Sequence, residues 1–82
     1  MGADDSAATV LVVDDERAVA DAYSAQLEVE YDVRTAYDGA AALDTVDDAV
    51  DVVLLDRRMP SMSGDEVLAE LRDRELDCRV IM

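Results

Sequence analysis

The 82-residue sequence contains no histidine, tryptophan or phenylalanine, and it has a single cysteine. Without histidine, this chain cannot build a Ser-His-Asp triad or a metal site that uses imidazole ligands. The lone Cys78 cannot form an internal disulfide and adjoins an apolar run, so we expect a buried, reduced thiol. No apolar run reaches the roughly 20 residues of a membrane span, and the start lacks signal-peptide features. We therefore expect a cytoplasmic protein with no membrane partner.

Lysine is also absent, so the basic residues are seven arginines. The sequence has 21 acidic residues, and the formal net charge is −14. A field of this sign repels nucleic acid and anionic membranes, and we expect no direct nucleic-acid binding by this segment. Acid-rich surfaces are general in proteins of high-salt cells, and we interpret most of the acids as salt adaptation. A hydrophobic content of 51% is sufficient for one small folded domain.

Short apolar strands alternate with helical segments along the chain. The predicted strands are Thr9–Val13, Tyr31–Ala36, Val52–Leu55 and Cys78–Met82. The first helix should run from Glu16 to about Glu28, with Val19, Tyr23 and Leu27 repeating every four residues. Asp38 is the expected cap of a second helix, and Ser63 and Glu66 have the spacing of a capping box before a third.

The alternation of strands and helices predicts an α/β fold, a doubly wound, flavodoxin-like parallel sheet with helices on both faces. Residues 9–82 would form this single domain, which would be incomplete at its C-terminus because it stops in the fourth strand. Residues 1–8 are small or polar, and we expect them to be disordered.

Two of the predicted strands run directly into carboxylates. The stretch "VLVVDDE" places Asp14 and Asp15 after the first strand, and "VLLDRRMP" places Asp56 after the third. In doubly wound sheets, ligands bind beyond the carboxyl ends of the strands, so the three side chains converge if these strands are neighbours. Three close carboxylates repel unless a cation lies among them, and Mg²⁺ prefers oxygen ligands. A turn or helix cap explains an aspartate pair at a strand end equally well.

With these residues, and with "DVVLLDRRMP" and "MSGDEVL", the chain resembles the receiver domain of two-component response regulators over nearly all of its length after residue 8. The acidity and "DRRMP" are most similar to halophilic archaeal receivers, some of which precede a HalX output domain. The resemblance implies that Asp56 accepts a phosphoryl group from a sensor histidine kinase. It also implies that Asp14, Asp15, Asp56 and the backbone carbonyl of Arg58 hold Mg²⁺, with Asp15 as the more direct ligand. Gly64 would lie where a side chain crowds the backbone.

The same resemblance implies a non-enzymatic signalling module that regulates an output domain or downstream regulator, with transcription as the expected output. Receivers of this family continue beyond a fourth strand, and the hydroxyl and lysine residues that they place there have no counterpart here. Apolar surface left open in this way permits self-association into a homodimer. One alternative is a receiver-like interaction module that is never phosphorylated and whose acids serve salt adaptation. A phosphatase that uses Asp56 as nucleophile is another, although Arg58 stands where an Asp-x-Asp signature needs an acid.

Overall fold

The computed structural model of the protein describes residues 7–82, which form one four-stranded sheet and three helices. In chain order the elements are β1 (Thr9–Val13), α1 (Arg17–Leu27), β2 (Asp32–Ala36), α2 (Gly39–Thr45), β3 (Val52–Leu55), α3 (Gly64–Asp73) and β4 (Arg79–Ile81). The segment 1–8 was predicted to be disordered, and residues 1–6 of it lie outside the described residues. None of the helices between residues 7 and 82 is both long and apolar enough to cross a membrane.

All strand pairs in the sheet are parallel, and the strand order is β2-β1-β3-β4. Val13, at the end of β1, is aligned with Ala36 on one side and with Leu55 on the other. The chain therefore moves outward from β1 to β2 and then crosses back to the other side of β1. This reversal of direction lies between β1 and β3, as the doubly wound prediction requires.

The two faces of the sheet are covered by different helices. Leu11 and Val53 point to the larger core, where they pack with Val67 and Leu71 of α3. The opposite face carries Val10 and Val12 and packs on Ala20 of α1, among other residues. Alternate residues of β1 thus enter opposite cores, because successive side chains of a strand point to opposite faces. Helices on both faces confirm the predicted architecture.

The sheet face under α1 is only partly covered. Tyr23 of α1 is 52% exposed, and Ile81 and Met82 beyond it are 51% and 42% exposed. These side chains surround the part of the sheet that α1 does not reach. The structure therefore has the exposed apolar surface that was expected from the sequence.

The start signals of α2 and α3 form as predicted. The Asp38 carboxylate accepts the Ala41 N–H at 2.7 Å. At α3, the Ser63 hydroxyl accepts the Glu66 N–H at 3.2 Å, and the Glu66 carboxylate accepts the Ser63 N–H at 3.0 Å. The capping box satisfies two backbone donors that the helix itself cannot pair.

Of the predicted α1 stripe of Val19, Tyr23 and Leu27, Leu27 packs against the core cluster of Val10, Val12 and Ala20, but the fully buried positions differ from the prediction. Ala20 and Ser24 are the buried residues of α1, while Tyr23 is exposed. The Ser24 hydroxyl forms a 2.8 Å hydrogen bond with the Thr35 hydroxyl of β2, which satisfies a polar group that burial would otherwise penalise. Two small side chains on this side allow the helix to approach the sheet closely, and a tyrosine would not fit there.

Candidate functional site

The backbone ladder continues one residue past the ends of β1 and β3. The Asp14 N–H donates to the Ala36 carbonyl at 3.2 Å, and the Asp56 N–H donates to the Val13 carbonyl at 3.0 Å. Since Val13 directly precedes Asp14, these bonds hold the two aspartates side by side at the carboxyl edge of the sheet. The convergence that the sequence predicted conditionally therefore follows from the pairing of β1 with β3.

Asp14, Asp15 and Asp56 are brought together by this edge, with one carboxylate oxygen of each within 4.8 Å of the others. Backbone hydrogen bonds orient two of the three side chains. Oδ1 of Asp14 accepts the Glu16 N–H at 3.0 Å, and Oδ1 of Asp56 accepts the Arg58 N–H at 3.2 Å. Within residues 7–82, each of these two carboxylates is thus held by one oxygen, and its second oxygen is left for another partner.

The cluster has the chemistry of a site for a hard divalent cation. Its donors are carboxylate oxygens, and Asp14 and Asp56 are half-buried, so that water can reach the remaining coordination positions. Mg²⁺ is commonly bound by one or two carboxylates while it keeps several waters. The residues present therefore fit this ion. The Arg58 N–H donates a hydrogen bond to the Asp56 carboxylate. The Arg58 carbonyl as a metal ligand stays a prediction.

The loop between β3 and α3 is positioned by Gly64. Its N–H donates to the Arg57 carbonyl at 2.9 Å. A Cβ atom at this position would lie 2.6 Å from the Asp56 carbonyl oxygen and 2.8 Å from Arg57 Cα. Contacts this short with backbone cannot be relieved by a side-chain movement, so only glycine fits. Met59 of the same loop is buried in the larger core and anchors the loop there. The short contacts at Gly64 agree with the crowding that was predicted there.

A cavity of about 290 Å³ opens beside the acidic cluster. Asp14 and Asp56 lie at its edge, and Val12, Leu54 and Ile81 form apolar parts of its wall.

The structure shows a second cluster of side chains at this edge of the sheet, which the sequence analysis did not predict. The Arg17 guanidinium lies over the Tyr37 ring, 4.1 Å from its centroid. The Tyr37 hydroxyl donates to Oδ1 of Asp21 at 2.6 Å. This hydrogen bond to a carboxylate raises the pKa of Tyr37 above its ordinary value of 10.0, because the protonated phenol is the donor. Arg17 and Asp21 are one helical turn apart, but nothing in the sequence links them to Tyr37, which follows β2.

Known proteins resemble the chain over nearly all of the described residues. The family model described as the response regulator receiver domain matches residues 10–82. A Haloferax volcanii protein assigned as a transcriptional regulator is 58% identical over 74 residues, which cover 89% of this chain and 13% of that protein. The transcriptional regulatory protein CpxR of Escherichia coli is 42% identical over 64 residues, which cover 77% of this chain and 28% of CpxR. The chain thus spans less than a third of either relative.

Solved structures share the fold as well. The response regulator TrrA of Thermotoga maritima, solved in complex with Mg²⁺–BeF, has a TM-score of 0.80 and 35% identity, and the match covers 92% of this chain and 67% of TrrA. A CheY-like receiver domain protein of Methanospirillum hungatei has a TM-score of 0.86 and 28% identity, with 94% of this chain and 63% of that chain covered. TrrA has also been solved in complex with the histidine kinase ThkA. The matched family model, the strand order and the shared fold together show that the chain belongs to the response regulator receiver domain family.

Proposed function

We propose that this receiver domain is a phosphoacceptor, in which Asp56 takes a phosphoryl group from a sensor histidine kinase and Asp14 and Asp15 hold the required Mg²⁺. The single observation that carries the proposal is the cluster of three carboxylates within 4.8 Å at the carboxyl edge of the sheet. The Mg²⁺–BeF complex of TrrA and the complex of TrrA with ThkA support it by similarity.

In this proposal, one oxygen of the Asp56 carboxylate makes the nucleophilic attack. Oδ1 of this carboxylate accepts the Arg58 N–H, so we assign the attack on phosphorus to Oδ2. A new O–P bond forms, the P–N bond to the kinase histidine breaks, and the imidazole leaves with the bonding electrons. Carboxylates are known to form aspartyl-phosphate intermediates of this kind. A bound Mg²⁺ would neutralise charge on the phosphoryl oxygens, and the three aspartates together with the Arg58 carbonyl would hold it.

Phosphorylation would then act as a signal and would not lead to turnover of a substrate. The phosphoryl group adds negative charge beside the loop between β3 and α3, which can bias a surface between two states that an output domain or downstream regulator reads. The similarity to transcriptional regulators supports transcription as the output. We propose a cytoplasmic location, where kinases have ATP, and we assign the general acidity of the surface to salt adaptation. We also propose that the exposed apolar face can form a homodimer.

The proposal is tested by incubation with acetyl phosphate, in the presence and absence of Mg²⁺, followed by mass spectrometry of the intact protein. We expect one phosphate-sized increment that needs Mg²⁺ and is absent from Asp56→Asn. The matched control is Asp48→Asn, which removes an exposed acid from the turn before β3, at the opposite edge of the sheet. An equal increment in Asp56→Asn would remove the assignment. No increment in the wild type would favour the unphosphorylated interaction module.

A further inference from the structure

In the cluster of Arg17, Tyr37 and Asp21, no carboxylate of residues 7–82 lies within ion-pair distance of the Arg17 guanidinium. Arg17 and Asp21 have the i,i+4 spacing of a helical ion pair. Instead, Oδ1 of Asp21 accepts the Tyr37 hydroxyl, and the guanidinium lies on the face of the Tyr37 ring. Within residues 7–82, the ion pairs shorter than 4.0 Å join Arg34 with Asp47 and Arg74 with Glu70, and Arg17 takes part in neither.

This cation lies on the same edge of the sheet as the carboxylates. Arg17 is the first residue of α1, two positions after Asp15. Tyr37 follows Ala36, whose carbonyl accepts the Asp14 N–H. The ring therefore holds the exposed guanidinium on the β2 side of the acidic cluster, where it still faces solvent.

The reaction proposed above brings an anionic donor to a strongly anionic protein. With a formal net charge of −14, the protein as a whole repels a doubly charged phosphoryl donor. A fixed positive charge near the acceptor changes the local donor concentration, and its influence decreases with added salt. Through water, a unit positive charge about one Debye length away (~10 Å at ~0.1 M ionic strength) raises the concentration of a dianion by roughly 1.5- to 2-fold, and it has almost no effect near 1 M.

We propose that Arg17 is a steering residue, held in place by Tyr37, that attracts the phosphoryl donor to the acidic edge and so raises the rate at which Asp56 is phosphorylated. The inference rests on the proposed phosphoacceptor function. Arg17 acts through its field and does not touch the reacting atoms. Asp56 Oδ2 attacks the phosphorus of an acyl phosphate, the O–P bond of the donor breaks, and the carboxylate leaves with the electron pair.

The test measures the second-order rate constant of phosphorylation by acetyl phosphate, with acid quench and mass spectrometry, at several ionic strengths. The lowest ionic strength in the series is the lowest one at which the wild type is still folded by circular dichroism. We expect Arg17→Gln to be roughly 1.5- to 2-fold slower at ~0.1 M and equal to wild type near 1 M, while Arg17→Lys stays at the wild-type rate throughout. The matched control is Arg72→Gln, which makes the same change in net charge. Arg72 is eight residues beyond Gly64 in α3, about 12 Å further along the helix, and its loss should leave the rate unchanged.

A second variant removes only the hydroxyl that occupies Asp21. In Tyr37→Phe the ring remains, but Asp21 becomes free to pair with Arg17 and to neutralise it. This variant should therefore be slower than wild type at low salt, in the same direction as Arg17→Gln. A rate equal to that of wild type would show that the hydrogen bond between Tyr37 and Asp21 does not keep Arg17 available.

The proposal is overturned if Arg17→Gln and Arg72→Gln have the same rate, or if the slowing persists unchanged near 1 M salt. Equal slowing in Arg17→Lys together with a lower melting temperature would indicate a structural role instead. Mg²⁺ affinity, measured by calorimetry, is an independent readout, because loss of a nearby cation should tighten Mg²⁺ binding in Arg17→Gln more than in Arg72→Gln. If the wild-type protein is not phosphorylated, the phosphoacceptor function itself is overturned. If the wild type is phosphorylated but the Arg17 variants react at the wild-type rate, only the steering role is overturned.

Discussion

Replacing Asp14 with asparagine should have opposite effects on stability with and without Mg²⁺. Asp14 shares the edge of the sheet with Asp15 and Asp56, with carboxylate oxygens of all three within 4.8 Å. Without a cation these charges repel and weaken the fold. Asparagine removes one charge but keeps an oxygen that can accept the Glu16 N–H, now 3.0 Å from Asp14 Oδ1. The substitution therefore isolates the charge from the local hydrogen bonding.

The size of the effect follows from Coulomb's law. Two unit charges about 5 Å apart repel by ~0.8 kcal/mol in water and by ~3 kcal/mol at an effective dielectric constant of 20. Asp14 is half-buried and its field is partly screened by solvent, so we use the lower end of this range, about 1 kcal/mol. In a domain of this size, that gain should raise the melting temperature by about 4–8 °C in metal-free buffer.

Mg²⁺ should reverse this order of stability. A ligand that binds only the folded state at 100 times its dissociation constant stabilises that state by about 2.7 kcal/mol. The wild type should gain this amount, whereas Asp14→Asn lacks one of the carboxylates and should gain much less. The wild type is then the more stable protein when Mg²⁺ is present.

The assay is thermal unfolding followed by circular dichroism, in EDTA and in MgCl₂, at one fixed ionic strength so that screening does not change. Asp48→Asn serves as the control for the loss of one charge from the net −14. If Asp14→Asn were less stable than the wild type in EDTA while the control was unaffected, the carboxylates would not be repelling one another. Equal gains from Mg²⁺ in wild type and Asp14→Asn would refute the metal site.

Three further substitutions test the local structure around the site. Gly64→Ala places a Cβ atom 2.6 Å from the Asp56 carbonyl oxygen and should cost about 1–3 kcal/mol in urea unfolding, with less stabilisation by Mg²⁺ than in the wild type. Ser63→Ala removes the capping box of α3 and should cost about 1 kcal/mol, whereas Ser61→Ala in the preceding loop should not. Glu75 has a positive φ of 59° after α3, so Glu75→Gly should stabilise the protein by roughly 1 kcal/mol, and an unchanged unfolding midpoint would show that this conformation is not strained.

Local signals in the sequence were sufficient for most of the secondary structure. Continuous β-branched and leucine runs predicted β1 and β3, because strands covered on both faces need apolar residues at every position. The capping box at Ser63 and the cap at Asp38 formed as predicted, since their partners are three residues away in the chain. Acidic residues at the ends of two strands, together with the rule that ligands bind beyond the carboxyl ends, predicted the candidate site.

The tertiary structure decided what depends on contacts between distant segments. The sequence predicted α1 as an amphipathic helix through Val19, Tyr23 and Leu27. Leu27 does pack against the core, but the fully buried residues are Ala20 and Ser24, and the Ser24 hydroxyl pairs with the hydroxyl of Thr35 in β2. Periodicity alone could not reveal a partner on another strand. The convergence of Asp14 and Asp56 likewise needed β1 and β3 to be neighbours, which only the strand order establishes. The contact of Arg17 with Tyr37 had no sequence signal, because side chains 20 positions apart meet only once the sheet and helix have packed.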